Sequence, residues 1–440
     1  MTTRTLTRTG TRAGTRAGAA SLAAASLLAL SACGGSGGGS GDGAGAWILT
    51  GGGWPNVESD IERWNEQAED GRQIAVESFE NDAYKERIRT VVGSGEAPTL
   101  IMNWTGGTLA EYVAEERVVD LSDEVGDLES RVHDSVWQNG VVDGSVYGVP
   151  MSGVQPAVMY LNQDVFDEAG VEPPQTWAEV KEVIPQLRDA GYTPFSLAGG
   201  SVWPALMWLQ YLTDRHGGAE VFQAVVDGEE GAWSDESILW ALEEIQWLAD
   251  EGGFDETFTG VDASQNEDAR LLAEGEAAML LQGSWVYSTI HADFPEFAES
   301  DAFAFTEFPA LESGEGDPSN VTGNPANFWS VSADASEEEQ QVAVDYISEH
   351  LYNDEYVQNT LDDGNLPPLN DIGEEIEAAE NADFLTFADE LVSEADHFQL
   401  SWDQAVSPEV SQPLMENLEK ILVGEITPEE FSEAMNGQQG

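Results

Sequence analysis

Ala46-Trp47-Ile48-Leu49, closed by Gly51-Gly52-Gly53, begins a pattern that decides the fold of this chain. The four residues form a short buried-strand candidate. Ile61, Trp64 and Ala68 then recur at helical spacing. Ile74 and Val76 alternate as a second strand, and Tyr84, Ile88, Val91 and Val92 mark a helix stopped by Gly93-Ser94-Gly95. Thr99-Leu100-Ile101-Met102 is a third strand, followed by helical spacing through Leu109, Tyr112 and Val113. Strands alternating with helices indicate parallel βαβ units.

Further along, punctuation locates helices. Thr176 caps a helix through Trp177, Val180, Val183, Ile184 and Leu187, closed by Gly191, and Pro185 inside it predicts a kink. Ser336 and Glu339 form a capping box before Val342, Tyr346 and Ile347. Leu414, Leu418, Ile421 and Leu422 make a stripe stopped by Gly424, and Thr427-Pro428-Glu429-Glu430 starts a last short helix.

The N-terminus reads as an export signal. Arg4, Arg8, Arg12 and Arg16 precede an apolar run from Ala19 to Leu30, and Leu30-Ser31-Ala32-Cys33-Gly34 follows. Cys33 is the only cysteine of the 440 residues. The tetrapeptide ending in it resembles a lipobox, whose cysteine thiol receives a lipid and becomes the new N-terminus. Residues 1–33 are therefore assigned to a lipoprotein signal and residues 34–45, nearly all Gly and Ser, to a flexible tether. This implies a protein held by lipid on the outer face of the cytoplasmic membrane, with no disulfide possible within one chain.

The remaining roughly 400 residues exceed what one hydrophobic core usually serves, so two lobes are expected. A hydrophobic content of 41%, with 14 Trp, 16 Phe and 10 Tyr, suffices for both. The net charge is −67, with 83 acidic residues and only three lysines, Lys85, Lys181 and Lys420. Such a field repels nucleic acid and anionic lipid and disfavours anionic ligands. At molar salt the Debye length shrinks to ~3 Å, which would relieve the self-repulsion. The acidity reads as adaptation to a salty habitat.

Four segments carry a family resemblance: Leu271-Leu272-Ala273-Glu274-Gly275-Glu276-Ala277-Ala278-Met279-Leu280-Leu281-Gln282-Gly283-Ser284-Trp285; Met159 to Gly170 followed by Pro173-Pro174-Gln175-Thr176-Trp177; Gly93-Ser94-Gly95-Glu96-Ala97-Pro98; and Gly364-Asn365-Leu366-Pro367-Pro368. Taken together in chain order, they resemble the extracellular sugar-binding lipoproteins of ABC importers, the family of maltose-binding protein. Thr99 stands where that family usually has aspartate, and Leu161 where it often has an aromatic residue. The resemblance implies a type II periplasmic-binding-protein-like fold, with two α/β lobes joined by crossover hinge strands and closing over a ligand. Lobe one would comprise residues 46–156 and 329–362, lobe two residues 157–328 and 363–440. It also implies a monomer that captures a neutral di- or oligosaccharide and hands it to the transmembrane subunits of an ABC permease.

Ligands in such sheets bind beyond the carboxyl ends of strands. A sugar offers an apolar C–H face and a rim of hydroxyls, so aromatic platforms and fixed lone pairs are the residues to seek. Trp104, with Thr105 beside it, follows the third strand in a Gly-rich loop. Trp285 and Trp402 match positions where the family stacks sugars; Trp203 follows a strand in lobe two, and Trp54 follows the first strand and its glycines. Glu80, Asn81 and Asp82 follow the second strand, Asn324 and Asn327 approach the second crossover, and Asp403 adjoins Trp402. Trp64, Trp177, Trp240 and Trp247 lie on helical stripes and read as packing residues.

Other chemistry finds little support. Gly34-Gly35-Ser36-Gly37-Gly38 has the spacing of a nucleophile elbow but no strand before it. No metal-ligand spacing, P-loop or dinucleotide fingerprint occurs, so no catalytic residue, metal or cofactor is assigned. The rivals to a binding protein are a lipid-anchored glycoside hydrolase using two of the many carboxylates, and a sugar-sensing lipoprotein of the same fold.

Overall fold

The computed structural model describes residues 43–51, 54–370 and 372–438; the signal, Cys33 and most of the tether lie outside them. The chain opens with β1 (Gly43–Leu49), α1 (Trp54–Gln67), β2 (Gln73–Phe79), α2 (Asn81–Ser94), β3 (Leu100–Asn103) and α3 (Gly106–Ala114). β1 pairs in parallel with both β2 and β3, as the alternation of the sequence requires. β1 begins three residues earlier than expected, within the stretch assigned to the tether. Gly43 sits against Gln73, whose carbonyl oxygen would lie 2.4 Å from a Cβ at that position, so only glycine permits the approach. Gly45 N–H donates to Thr99 Oγ1 (3.1 Å), which gives this threonine a structural role.

A two-stranded ribbon, β4 (Val141–Val142) and β5 (Ser145–Val146), precedes β6 (Val149–Pro150). The chain then crosses into a second sheet with β7 (Gln155–Asn162), β8 (Thr193–Ser196), β9 (Ala277–Gly283), β10 (Phe303–Thr306) and β11 (Val321–Asn324). It returns to the first sheet in β12 (Phe328–Val331), and β13 (Phe398–Leu400) completes the second. The first sheet has the order β2-β1-β3-β12-β6; the second has the order β13-β11-β7-β9-β8. β10 pairs with the far end of β7 at Met159–Asn162, beyond the short β11 contact at Gln155 and Pro156. Each sheet anchors its own core. Ile48, Leu100, Met102, Phe328 and Trp329 pack in lobe one, and Met159, Phe195, Trp208, Leu242 and Met279 in lobe two. This is the expected architecture of two α/β lobes joined by crossovers.

The crossovers are tied together. Met151 N–H donates to Asn327 O (2.8 Å), Ser152 Oγ donates to Asn327 Oδ1 (3.0 Å) and Val154 N–H donates to Leu366 O (2.7 Å). The boundaries differ from expectation by two residues at Gln155 and Pro156 and by one at Phe328, and by more after Asp363. The segment after Asp363 packs on lobe one, with Leu366, Leu369, Ile376 and Leu385 in its core. Phe384, next to Leu385, instead joins a cluster with Tyr160 and Leu280 of the second sheet, so the helix Ala382–Ser393 carries the chain across. Neighbouring residues on one helix face different ways, and adjacent apolar positions can therefore serve different lobes.

The capping signals locate helices as read. Thr176 with Glu179, Ser336 with Glu339 and Thr427 with Glu430 all form complete capping boxes. The helix Trp177–Ala190 holds Pro185 within one element. Among the described residues, no helix is long and apolar enough to cross a membrane.

Candidate functional site

The loops at the carboxyl ends of β1, β2 and β3 face the second sheet across a cleft of about 410 Å³. Thr50 and Gly51 follow β1, Glu80 and Asn81 follow β2, and Trp104 follows β3; all line it. From lobe two come Trp203, Trp285, Ser264, Asn266, Asp403 and Gln404, with Asn324 and Asn327 at the crossover.

Four indoles bound this space: Trp54, Trp104, Trp203 and Trp285. The Trp203 and Trp285 ring centres lie 6.0 Å apart at an interplanar angle of 47°. Trp285 is positioned by Gly283, because a Cβ there would lie 1.9 Å from the indole ring. The Gly-Ser-Trp sequence thus folds an aromatic face back over the end of its own strand. Trp104 is steadied by Tyr84, edge-on at 5.9 Å, whose hydroxyl donates to Met102 O (2.6 Å). Thr105, just after it, holds φ at 66°, a region costly for a β-branched side chain. Its N–H donates to Asn103 Oδ1 (2.9 Å), and it is fully buried beneath the loop, so Thr105 shapes the platform without lining the cleft.

Two further expectations are corrected. Trp402 is 0% exposed, and its ring packs against Phe222 and Trp233 in the core of lobe two. Its Nε1–H donates to Gln399 Oε1 (2.6 Å), so the indole is satisfied internally and is no platform. Position in the sequence did not reveal which way the ring turns at the start of the short helix Trp402–Ala405. Asp82 is exposed, outside the cleft lining, and accepts from Asn81 Nδ2 (2.8 Å). It is the second residue of α2, on the solvent side of its first turn.

The remaining candidates lie at the cleft in different states. Asp403 is held by Ser401 Oγ (2.7 Å), Gln404 Nε2 (2.6 Å) and Lys85 Nζ (3.3 Å). Asn327 spends its side-chain oxygen on Ser152 and on Gln155 Nε2 (3.1 Å), so it fixes the hinge. Asn324 Oδ1, Trp203 Nε1 and Ser264 Oγ are buried polar atoms without a hydrogen-bond partner. Such groups carry a desolvation cost that a ligand hydroxyl would remove. Tyr356 also borders the cleft; burial pushes its hydroxyl far up, and it donates to Met151 O (2.7 Å).

The sequence reading missed Lys85, Ser152, Gln155, Ser264, Asn266 and Gln404. Only Lys85 carried a usable signal: it is one of three lysines in an acidic chain, and it lies one turn into the helix after β2. Beneath the lobe-two wall, Asp268 is buried and accepts from Gln282 Nε2 (2.9 Å) and Ala269 N–H (2.9 Å). Burial nonetheless raises its pKa to about 6. No cluster of His, Cys, Asp or Glu suited to a metal ion occurs among the described residues.

Comparison with known proteins agrees with this architecture. The family model for bacterial extracellular solute-binding proteins matches residues 55–356. The chain belongs to that family. Among curated relatives, the multiple sugar-binding protein of Streptococcus mutans is 28% identical over 179 residues, 40% of this chain and 41% of that protein. The alpha-glucosides-binding periplasmic protein AglE of Rhizobium meliloti is 27% identical over 198 residues, 42% of each chain. These matches thus span less than half the length of either relative. Among solved structures, a protein studied for xylan utilization in Caldanaerobius polysaccharolyticus superposes with a TM-score of 0.78 at 24% identity, covering 90% of this chain and 99% of that one. A chitin oligosaccharide binding protein reaches 0.79 at 22% identity, covering 91% and 98%.

Proposed function

We propose that this protein is the capture component of an ABC importer, binding a neutral di- or oligosaccharide between its lobes and presenting it to a membrane permease. The observation that carries the reading is the cleft itself. Trp54, Trp104, Trp203 and Trp285 offer apolar faces, while Asn324 Oδ1, Trp203 Nε1 and Ser264 Oγ are unpaired polar atoms on residues of the lining. C–H faces of sugar rings stack on the first set, and hydroxyls satisfy the second. Several platforms suit a ligand with several rings. A relative named for sugar binding and a structure of like fold named for chitin oligosaccharides support the same class. Micromolar or tighter affinity, about −8 kcal/mol, is in keeping with such a site.

A hydrolase needs two carboxylates free to act on one bond. Among the described residues, the acidic side chains in the lining are Glu80 and Asp403, and Asp403 is paired with Lys85. That arrangement favours binding over cleavage. Attachment through an acylated Cys33 completes the proposal: mass spectrometry of the membrane-extracted protein should show a lipid on that residue, absent in Cys33→Ser.

The direct test is a thermal-shift screen against xylo-, cello-, malto- and galacto-oligosaccharides and trehalose, at low and at molar salt. A ligand that binds only the native form raises the melting temperature by mass action. A flat response to the whole panel would remove the oligosaccharide reading, and release of reducing ends would replace it with the hydrolase.

A further inference from the structure

Among the described residues, Lys85 is the sole lysine or arginine that lines the cleft. It rises from α2 in lobe one, and its ammonium lies 5.1 Å from the Trp104 ring centre and 5.9 Å from that of Trp203. It pairs with Asp403 Oδ2 at 3.3 Å, and the Asp403 side chain is only 9% exposed. Trp203 and Asp403 belong to lobe two. Among the described residues, this is the one ion pair that spans the lobes; the others join groups within a single lobe. Two indole faces beside a largely buried carboxylate attract a cation. Here the protein supplies that cation itself.

We propose that Lys85 determines specificity by acting as an internal counter-ion: its ammonium fills the cation-attracting end of the cleft, so uncharged rings are admitted and rings bearing their own ammonium are refused. The proposal rests on the sugar-binding reading above. In a chain of net charge −67, the general field draws cations toward the molecule. Without Lys85, a cleft lined by four indoles, Glu80 and Asp403 would hold amine-bearing sugars well. A second ammonium brought beside Lys85 meets like-charge repulsion in a partly desolvated site, where screening is weak. Selectivity then comes from a repulsive element placed against the unwanted ligand.

The test is calorimetric titration of the wild type, Lys85→Met and Lys85→Met/Asp403→Asn. The neutral probes are xylotriose, maltotriose and the N-acetylated chitin trimer; the cationic probe is the glucosamine trimer. Lys85→Met should bind the glucosamine trimer at least about tenfold tighter than the wild type does at low salt. The gain should vanish in the double variant and persist in part at molar salt, because the site is partly desolvated. A merely bridging lysine would weaken every probe alike and produce no gain. Lys85→Gln, run in parallel, serves if the methionine variant loses its native far-ultraviolet spectrum. The proposal is overturned if a folded variant shows no such gain, or if the wild type holds the glucosamine trimer as tightly as its best neutral probe. Absence of all neutral binding by the wild type counts against the sugar-binding reading alone, because the gain for the cationic probe is read separately.

Discussion

Thr105 and Val202, both β-branched, hold positive φ angles of 66° and 61° on opposite lobes, each next to a tryptophan that lines the cleft. Thr105 follows Trp104 and Val202 precedes Trp203. Backbone strain of this kind costs about 1–3 kcal/mol per residue and persists where surrounding structure imposes it. Val202→Gly should relieve the strain, offset in part by the entropy of glycine and by the loss of the valine's packing on the lobe-two core, for a net gain of at most about 1 kcal/mol in stability. The same change should loosen Trp203 and weaken sugar binding. Chemical denaturation alongside calorimetry checks both; a gain in stability with affinity intact would separate the strain from the site.

Trp285 and Trp402 should respond oppositely to truncation. Trp402→Ala opens a void in the core of lobe two and should cost about 3–5 kcal/mol. Trp285→Ala removes a surface of the cleft; the fold should persist while affinity for the best oligosaccharide of the screen falls at least about tenfold. Far-ultraviolet spectra, melting curves and titrations of the two variants give the comparison.

Gly107, the second residue of α3, sits against lobe two, where a Cβ would lie 2.2 Å from Val406 O. That neighbour is backbone and yields only by moving the segment. Gly107→Ala should therefore part the lobes along this seam. Small-angle scattering should report a larger radius of gyration, and the sugar should bind more weakly. Unaltered scattering with unaltered affinity would mean the seam plays no part in closure.

Asp268 supplies a pH dependence of defined sign. Its folded pKa of about 6 lies above the ordinary value of 3.8, because burial penalises the carboxylate. The unfolded chain therefore ionises it first, and the native state loses stability as pH rises from about 4 to about 6. The stability of the wild type relative to Asp268→Asn should fall across that window and level off above it. Melting temperatures of both proteins in a pH series measure the difference, in which the pH response of the other carboxylates cancels. A difference independent of pH would place Asp268 outside this account.

The two-lobed fold was legible because its signals are local. Strands and helices alternate in periodicity around Ala46 and Val76, and caps at Thr176, Ser336 and Thr427 need only their own neighbours three residues on. Trp104 was legible for the same reason: the end of a parallel strand is a position that topology directs to the crevice. Trp402 was not. A tryptophan after a strand can turn inward or outward, and here Phe222 and Trp233, both far from it along the chain, decide it, with Gln399 three residues before it accepting the indole N–H.

From its sequence alone, then, this protein determines its element order, its helix ends, its excess of negative charge and the strand ends at which a site would form. These follow from covalent geometry and spacing over a few residues. The tertiary structure decided which indoles face the cleft, that the segment after Asp363 packs on lobe one, and that Lys85 meets Asp403 318 positions away. Such contacts are set by packing between distant segments, whose mutual orientation no local pattern encodes.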